Sequence, residues 1–167
     1  MQTKSDLQKP HELSGIELLR AMVAGRIARP SMADTMGFYL ADVCPGEATF
    51  HCEIGGHLLN PFGTVHGGVA LALLDSAAGC ALHTLLPPGV GYASVETKAN
   101  YTRPLTADSG MVRAVGKVLS HGRKIATSEA KLYTADDTLV AHGSSTLMIL
   151  EGAKWGFTGK WTPQRQD

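Results

Sequence analysis

Hydrophobic positions along the chain follow two rhythms. Ile16, Leu18, Leu19, Met22 and Val23 recur at helical spacing behind Ser14, a residue suited to an N-cap, so a short helix is expected over residues 15–24. Pro30 blocks its continuation. The pattern then alternates with a period of two. Residues 37–43 and 47–54 read as strands joined at Pro45-Gly46, and Gly55-Gly56 breaks the second. Residues 57–65 are irregular. From 67 to 86 the chain is apolar nearly all round, which describes a buried helix with no face for water, ended by Pro87-Pro88-Gly89. Four more strands are expected over 92–102, 110–120, 125–133 and 139–150, separated by short turn-rich segments.

One long apolar helix with about six mostly antiparallel strands is an α+β pattern. Such a helix needs a sheet wrapped around it, the arrangement called a hotdog fold. A single wrapped sheet leaves a free edge, so two chains are expected to pair into a continuous double sheet. The expected organisation is an N-terminal extension with its short helix over 1–36, the hotdog domain over 37–150, and a C-terminal tail over 151–167. The first dozen residues are polar and expected to be loose. The tail carries both tryptophans and is expected to dock on the fold or fray.

Composition narrows the functional classes. Lys+Arg and Asp+Glu are 15 each, so bulk charge gives no reason to expect a nucleic-acid partner. Three cysteines, Cys44, Cys52 and Cys80, without paired spacing argue for a reducing compartment. The first residues lack the apolar run of a signal peptide, and no stretch approaches a membrane span, so a soluble cytoplasmic protein with no membrane partner is expected. His11, His51, His57, His83, His121 and His142 show no metal spacing, and no metal or other cofactor is expected. The Gly-x-Ser-x-Gly elbow of serine hydrolases does not occur.

The stretch NPFGTVHGGVALALLDS, residues 60–76, carries the candidate chemistry. His66-Gly67-Gly68 opens the long helix. Glycines there leave backbone N–H groups uncovered at the positive end of the helix, a place suited to a carbonyl oxygen that becomes negative during a reaction. Asp75 is the helix's carboxylate, eight residues beyond Gly67 and about 12 Å along the axis. It cannot reach a carbonyl held at its own helix start. A second copy of the helix, antiparallel across a two-fold axis, would bring it there. The plainer reading of the same residue is a half-exposed Asp satisfied by a neighbour.

The same stretch, followed by Ala93-Ser94-Val95-Glu96-Thr97 and Tyr101-Thr102-Arg103-Pro104, resembles the PaaI-like acyl-CoA thioesterases of the hotdog superfamily. The similarity covers about residues 37–150, and the leading helix resembles an extension common among bacterial members. The resemblance implies hydrolysis of an acyl-CoA to free acid and coenzyme A. It gives Gly67, with Gly68, the polarisation of the thioester carbonyl. It makes Asp75 the nucleophile or general base, gives Asn60 the orientation of substrate or water, and gives His66 the bracing of the thioester region. Ser94 would hold the attacking water. Some aromatic-acyl members use a Thr or Ser one turn past the carboxylate, where this chain has Gly79.

A coenzyme A substrate brings phosphates. Arg103, Arg123 and Lys124 are the candidate contacts, although turns favour exposed basic residues in any case. Leu58, Phe62, Leu71, Leu82 and Tyr92 are candidates for the acyl pocket or plain core. A homo-oligomer is expected, at least a dimer from the distance argument and a homotetramer of paired dimers from the resemblance. Two other functions fit a hotdog fold, an enoyl-CoA hydratase or dehydratase and a non-catalytic acyl-CoA binder. The first would want an Asp where Leu58 stands; the second would want an effector domain for which 1–36 is too short.

Overall fold

The structure, a computed structural model, describes residues 12–151; the expected loose N-terminus and the tryptophan-bearing tail lie outside the described residues. Three helices and six strands follow in the order α1 Gly15–Val23, α2 Ser31–Met36, β1 Phe38–Cys44, β2 Glu47–Glu53, α3 Gly67–His83, β3 Gly91–Tyr101, β4 Met111–His121, β5 Ile125–Thr134 and β6 Leu139–Leu150. All strand pairs are antiparallel, and the sheet order is β1-β2-β4-β5-β6-β3. Inward side chains alternate with outward ones, most regularly in β2, β4 and β5. The sheet wraps α3, whose Leu73, Leu74, Ala77, Ala78, Ala81 and Leu82 are almost completely buried. This is the hotdog architecture that the alternation of rhythms predicts.

Close approach of helix and sheet depends on Gly116 in β4. A Cβ there would collide with the backbone of Ala77 and Ala78, so only glycine lets α3 lie this near the sheet. At the other end of α3, Gly15 N–H donates to Leu86 O at 2.9 Å, docking α1 against the C-terminal end of the long helix. Glu17 accepts from both the Ser14 N–H (2.9 Å) and hydroxyl (2.6 Å), fixing the start of α1.

One element adds to the expected set, and one expectation needs correction. The segment 31–36 is helical: Pro30 leads into it, and Gly37 closes it in the left-handed conformation at φ 76°. The long helix stops at His83 rather than at 86. Thr84 donates its hydroxyl to Ala81 O (2.6 Å) and accepts from Gly46 N–H (2.7 Å), tying the chain to the β1–β2 turn.

Nor does its own chain bury α3 on every side. Gly68 is exposed, and Leu71, Ala72, Asp75 and Ser76, spaced as one helical stripe, are only half-buried. Beside that stripe runs β3. It pairs with β6 on one side only, and its middle residues Ser94, Val95 and Glu96 are exposed. A β-bulge at Val95 interrupts its register, so that Ser94 pairs with Leu147 but Glu96 with Thr146.

Candidate active site

The long helix begins where His66 caps it. His66 Nδ1 accepts the Gly68 N–H at 2.9 Å, which fixes the ring's proton on Nε2. The expected role of Gly68 as a second carbonyl donor is therefore already taken by a cap. Gly67 N–H is left without a hydrogen-bond partner among the described residues. Tyr101, at the end of β3, lays its ring against the Gly67 Cα side and donates its hydroxyl to Gly67 O at 3.1 Å. A cavity of about 330 Å³ opens there, with His66, Gly67, Tyr101, Thr102 and Arg103 on its polar side and Ala70, Leu105 and Val140 on its apolar side.

Asn60 closes the loop before the helix. Its Nδ2 donates to Thr64 Oγ1 (2.8 Å) and its Oδ1 accepts from Phe62 N–H (2.9 Å). One Nδ2 proton is left over by the donor count of an amide. Phe62, at the tip of this turn, is 91% exposed. Leu58 and Leu82 are core residues, and Leu71 lies on the open stripe of α3.

Asp75 is the second candidate group. Its Oδ1 accepts from Ser94 Oγ at 2.8 Å and from Thr97 Oγ1 at 2.7 Å. Thr97 Oγ1 and Ser145 Oγ lie 2.9 Å apart, and Ser145 donates to Glu96 O at 3.1 Å. The carboxylate is thus held by one oxygen, while Oδ2 takes no hydrogen bond among the described residues. Ser94 donates its hydroxyl proton to Asp75 and so orients the carboxylate, while its oxygen keeps its acceptor lone pairs. Thr97 and Tyr101 fall within the stretches that carry the resemblance, but no role for either is expected from them. Strict alternation would place Ser94 and Thr97 on opposite faces; the bulge between them turns both inward.

Tyr92 reaches in from the start of β3. Its hydroxyl lies against Gly79 of α3, and its ring tilts against His83 at 5.8 Å between centroids. Burial pushes the Cys80 thiol up to about 12, so that this cysteine next to the carboxylate is not a competing nucleophile. Arg103 lies in the Gly67 cavity, whereas Arg123 and Lys124 flank a separate cleft with Ile125, Met148 and Ile149 at the opposite end of β3. Among the described residues no three His, Cys, Asp or Glu side chains gather as a metal-binding set.

A helix start with one free N–H, a half-free carboxylate eight residues further along the same helix and a wrapped sheet are features of a thioesterase-type hotdog protein. The thioesterase superfamily model matches residues 62–141. A conserved protein of Pseudomonas aeruginosa superposes with a TM-score of 0.69 at 30% identity, over 73% of this chain and 95% of that one. A mutant of the phenylacetic acid degradation protein PaaI from Thermus thermophilus gives 0.64 at 29% identity, over 71% and 98%. The 1,4-dihydroxy-2-naphthoyl-CoA hydrolase of Listeria monocytogenes is 24% identical over 74% of this chain and 98% of its own length. The chain belongs to the thioesterase superfamily, among its PaaI-like members, and is a thioester hydrolase.

Proposed function

We propose that the chain hydrolyses acyl-CoA thioesters in a homodimer whose active site takes Gly67 from one chain and Asp75 from the other. The observation that carries this reading is the open stripe of α3. An otherwise buried apolar helix leaves Leu71, Ala72 and Asp75 only half-buried beside β3, an edge strand unpaired on its outer side. A long, free strand edge is a liability unless something pairs with it, and a second copy pairs it and covers the stripe together.

Charge suggests the register. Glu96 and Lys98 are exposed on β3. With Thr97 at the two-fold axis, Glu96 of each chain lies opposite Lys98 of the other; with Lys98 at the axis, like charges would meet. The first register sets Tyr101 of one chain, and with it Gly67, level with Ala93 of the other, next to Ser94 and Asp75. Arg103 of the first chain then falls at the end of β3 where the second chain carries Arg123 and Lys124. Cations that lie far apart within one chain gather at one site in the pair, as a substrate with nucleotide phosphates requires.

In that site the thioester oxygen accepts the Gly67 N–H, and the leftover protons of Asn60 Nδ2 and His66 Nε2 are its neighbours. Asp75 Oδ2 takes a proton from water as the water oxygen bonds to the carbonyl carbon. The tetrahedral anion collapses, the C–S bond breaks, and the proton passes from Asp75 to the departing thiolate. Direct attack by Oδ2, giving a mixed anhydride that water then opens, uses the same groups. The hotdog unit is assigned to 37–150, with 1–36 as an extension, and the pair could assemble further into a tetramer. The three free cysteines suit the cytoplasm, and no helix among the described residues is long and apolar enough to cross a membrane.

The test is a panel of acyl-CoAs incubated with the protein and a thiol reagent. Steady release of free coenzyme A is expected. Binding without thiol release, or loss of enoyl absorbance without it, would overturn the reading.

A further inference from the structure

We propose that Tyr92 closes the acyl pocket one helical turn beyond Asp75 and so confines the enzyme to compact acyl groups, short-chain or single-ring; this rests on the thioesterase reading above. Asp75 and Gly79 are four residues apart and share a face of α3, so their positions are neighbours along the helix, about 6 Å apart. Gly79 has no side chain and would leave a notch continuing away from the carboxylate. Tyr92 fills that notch. A Cβ built on Gly79 would lie 2.5 Å from the Tyr92 hydroxyl and 2.6 Å from its ring. The His83 ring packs 5.8 Å from the tyrosine ring, and Leu82, Leu86, Ala126 and Leu147 pack against its other side, so the plug is held on two sides.

Behind the plug the surroundings are apolar, of the kind an acyl chain favours. Leu82, Leu86, Ala126 and Leu147 form an apolar cluster separate from the main core, with Val90 and Ile149 against it and Tyr92 at its border. Without the tyrosine ring, the notch at Gly79 would lead from Asp75 toward this cluster. The glycine and the tyrosine therefore act as a pair: the glycine makes the space, and the ring occupies it from the opposite strand. A hydroxyl residue at position 79 would collide with Tyr92.

The experiment measures kcat/KM over straight-chain acyl-CoAs from acetyl to hexadecanoyl, with benzoyl- and phenylacetyl-CoA alongside, for the wild type, Tyr92→Phe and Tyr92→Ala. In the wild type the values fall steeply beyond short chains. Tyr92→Phe keeps the ring and the same cut-off. Tyr92→Ala raises the ratio of octanoyl to butanoyl turnover at least about tenfold, since each methylene newly accommodated is worth roughly a factor of four. Tyr92→Leu, a milder change, moves the cut-off the same way if the alanine variant does not fold. A wild type that cleaves hexadecanoyl-CoA as well as butanoyl-CoA overturns the proposal without any variant, as does a folded Tyr92→Ala or Tyr92→Leu protein with the wild-type profile. A wild type that releases thiol from no member of the series overturns the thioesterase reading itself, and this one with it.

Discussion

Thr97 Oγ1 donates to Asp75 Oδ1 at 2.7 Å, across the space between β3 and α3. The bond exists because the bulge at Val95 turns Thr97 to the same face as Ser94, whose own hydroxyl reaches that oxygen at 2.8 Å. Two donors on one oxygen hold the carboxylate plane and leave Oδ2 without a donor among the described residues. Thr97→Val keeps the branched shape and removes the donor. Losing a hydrogen bond to a charged group costs about 1.5–3 kcal/mol, so kcat should fall roughly tenfold or more with KM nearly unchanged. Thr97→Ser should recover most of the loss. Steady-state kinetics of the three proteins decide it, and a wild-type kcat in Thr97→Val would show that Thr97 does not orient Asp75.

The approach of α3 to the sheet gives a stability prediction. Gly116→Ala places a methyl group on the Ala77–Ala78 backbone, which has no flexible end to move aside. The cost should be about 3 kcal/mol, the upper part of the range for overpacking. Thermal and urea denaturation measure it; an unchanged melting temperature would mean the helix has slack over β4.

Acid should weaken the fold through His83. Burial holds its pKa below the ordinary 6.5, and its Nδ1 is buried without a hydrogen-bond partner among the described residues. Above pH 6.5 both the folded and unfolded chains carry it neutral, and it contributes nothing to pH dependence. Below 6.5 the unfolded chain takes up a proton that the folded one resists, so stability falls with pH. His83→Gln should flatten that acid limb in denaturation curves measured between pH 7.5 and 5, relative to the wild type. Parallel curves would place the acid sensitivity elsewhere.

The proposed edge pairing can be tested by charge exchange. Glu96→Lys alone puts like charges across the axis and should weaken the dimer, as should Lys98→Glu. The double exchange restores opposite pairs and should restore association, measured by sedimentation as a function of concentration. Two disruptive single changes without rescue would contradict the register with Thr97 at the axis.

Much of this molecule is legible in its sequence, and the exceptions have physical causes. Alternation and helical spacing mark α1, α3 and all six strands to within a few residues, because each buries one face or one stripe against a single core. Helix α2 is missed because six residues are too few to display a period, and its signals, Pro30 before and Gly37 after, read equally as loop. His66, Gly67 and Asp75 can be singled out because glycines and a carboxylate are conspicuous in an apolar run. The cap made by His66 cannot be read, since it depends on a ring orientation. Thr97 stays hidden because a bulge changes which face a residue takes without changing composition. Gly79 and Tyr92, thirteen positions apart, become a pair only when strand and helix are laid together.

The central claim, one site built from two chains, is tested most directly by mixing subunits. Asp75→Asn removes the charge that delivers water, and its homodimer should lose roughly a hundredfold or more in kcat. Gly67→Pro removes the N–H that holds the thioester oxygen, and its homodimer should be nearly inactive as well. A mixed dimer would hold one site with both defects and one with neither, so activity should return to about half the wild-type value per mixed dimer. If mixed dimers form and stay folded yet remain inactive, Gly67 and Asp75 act within a single chain, and the shared site is wrong.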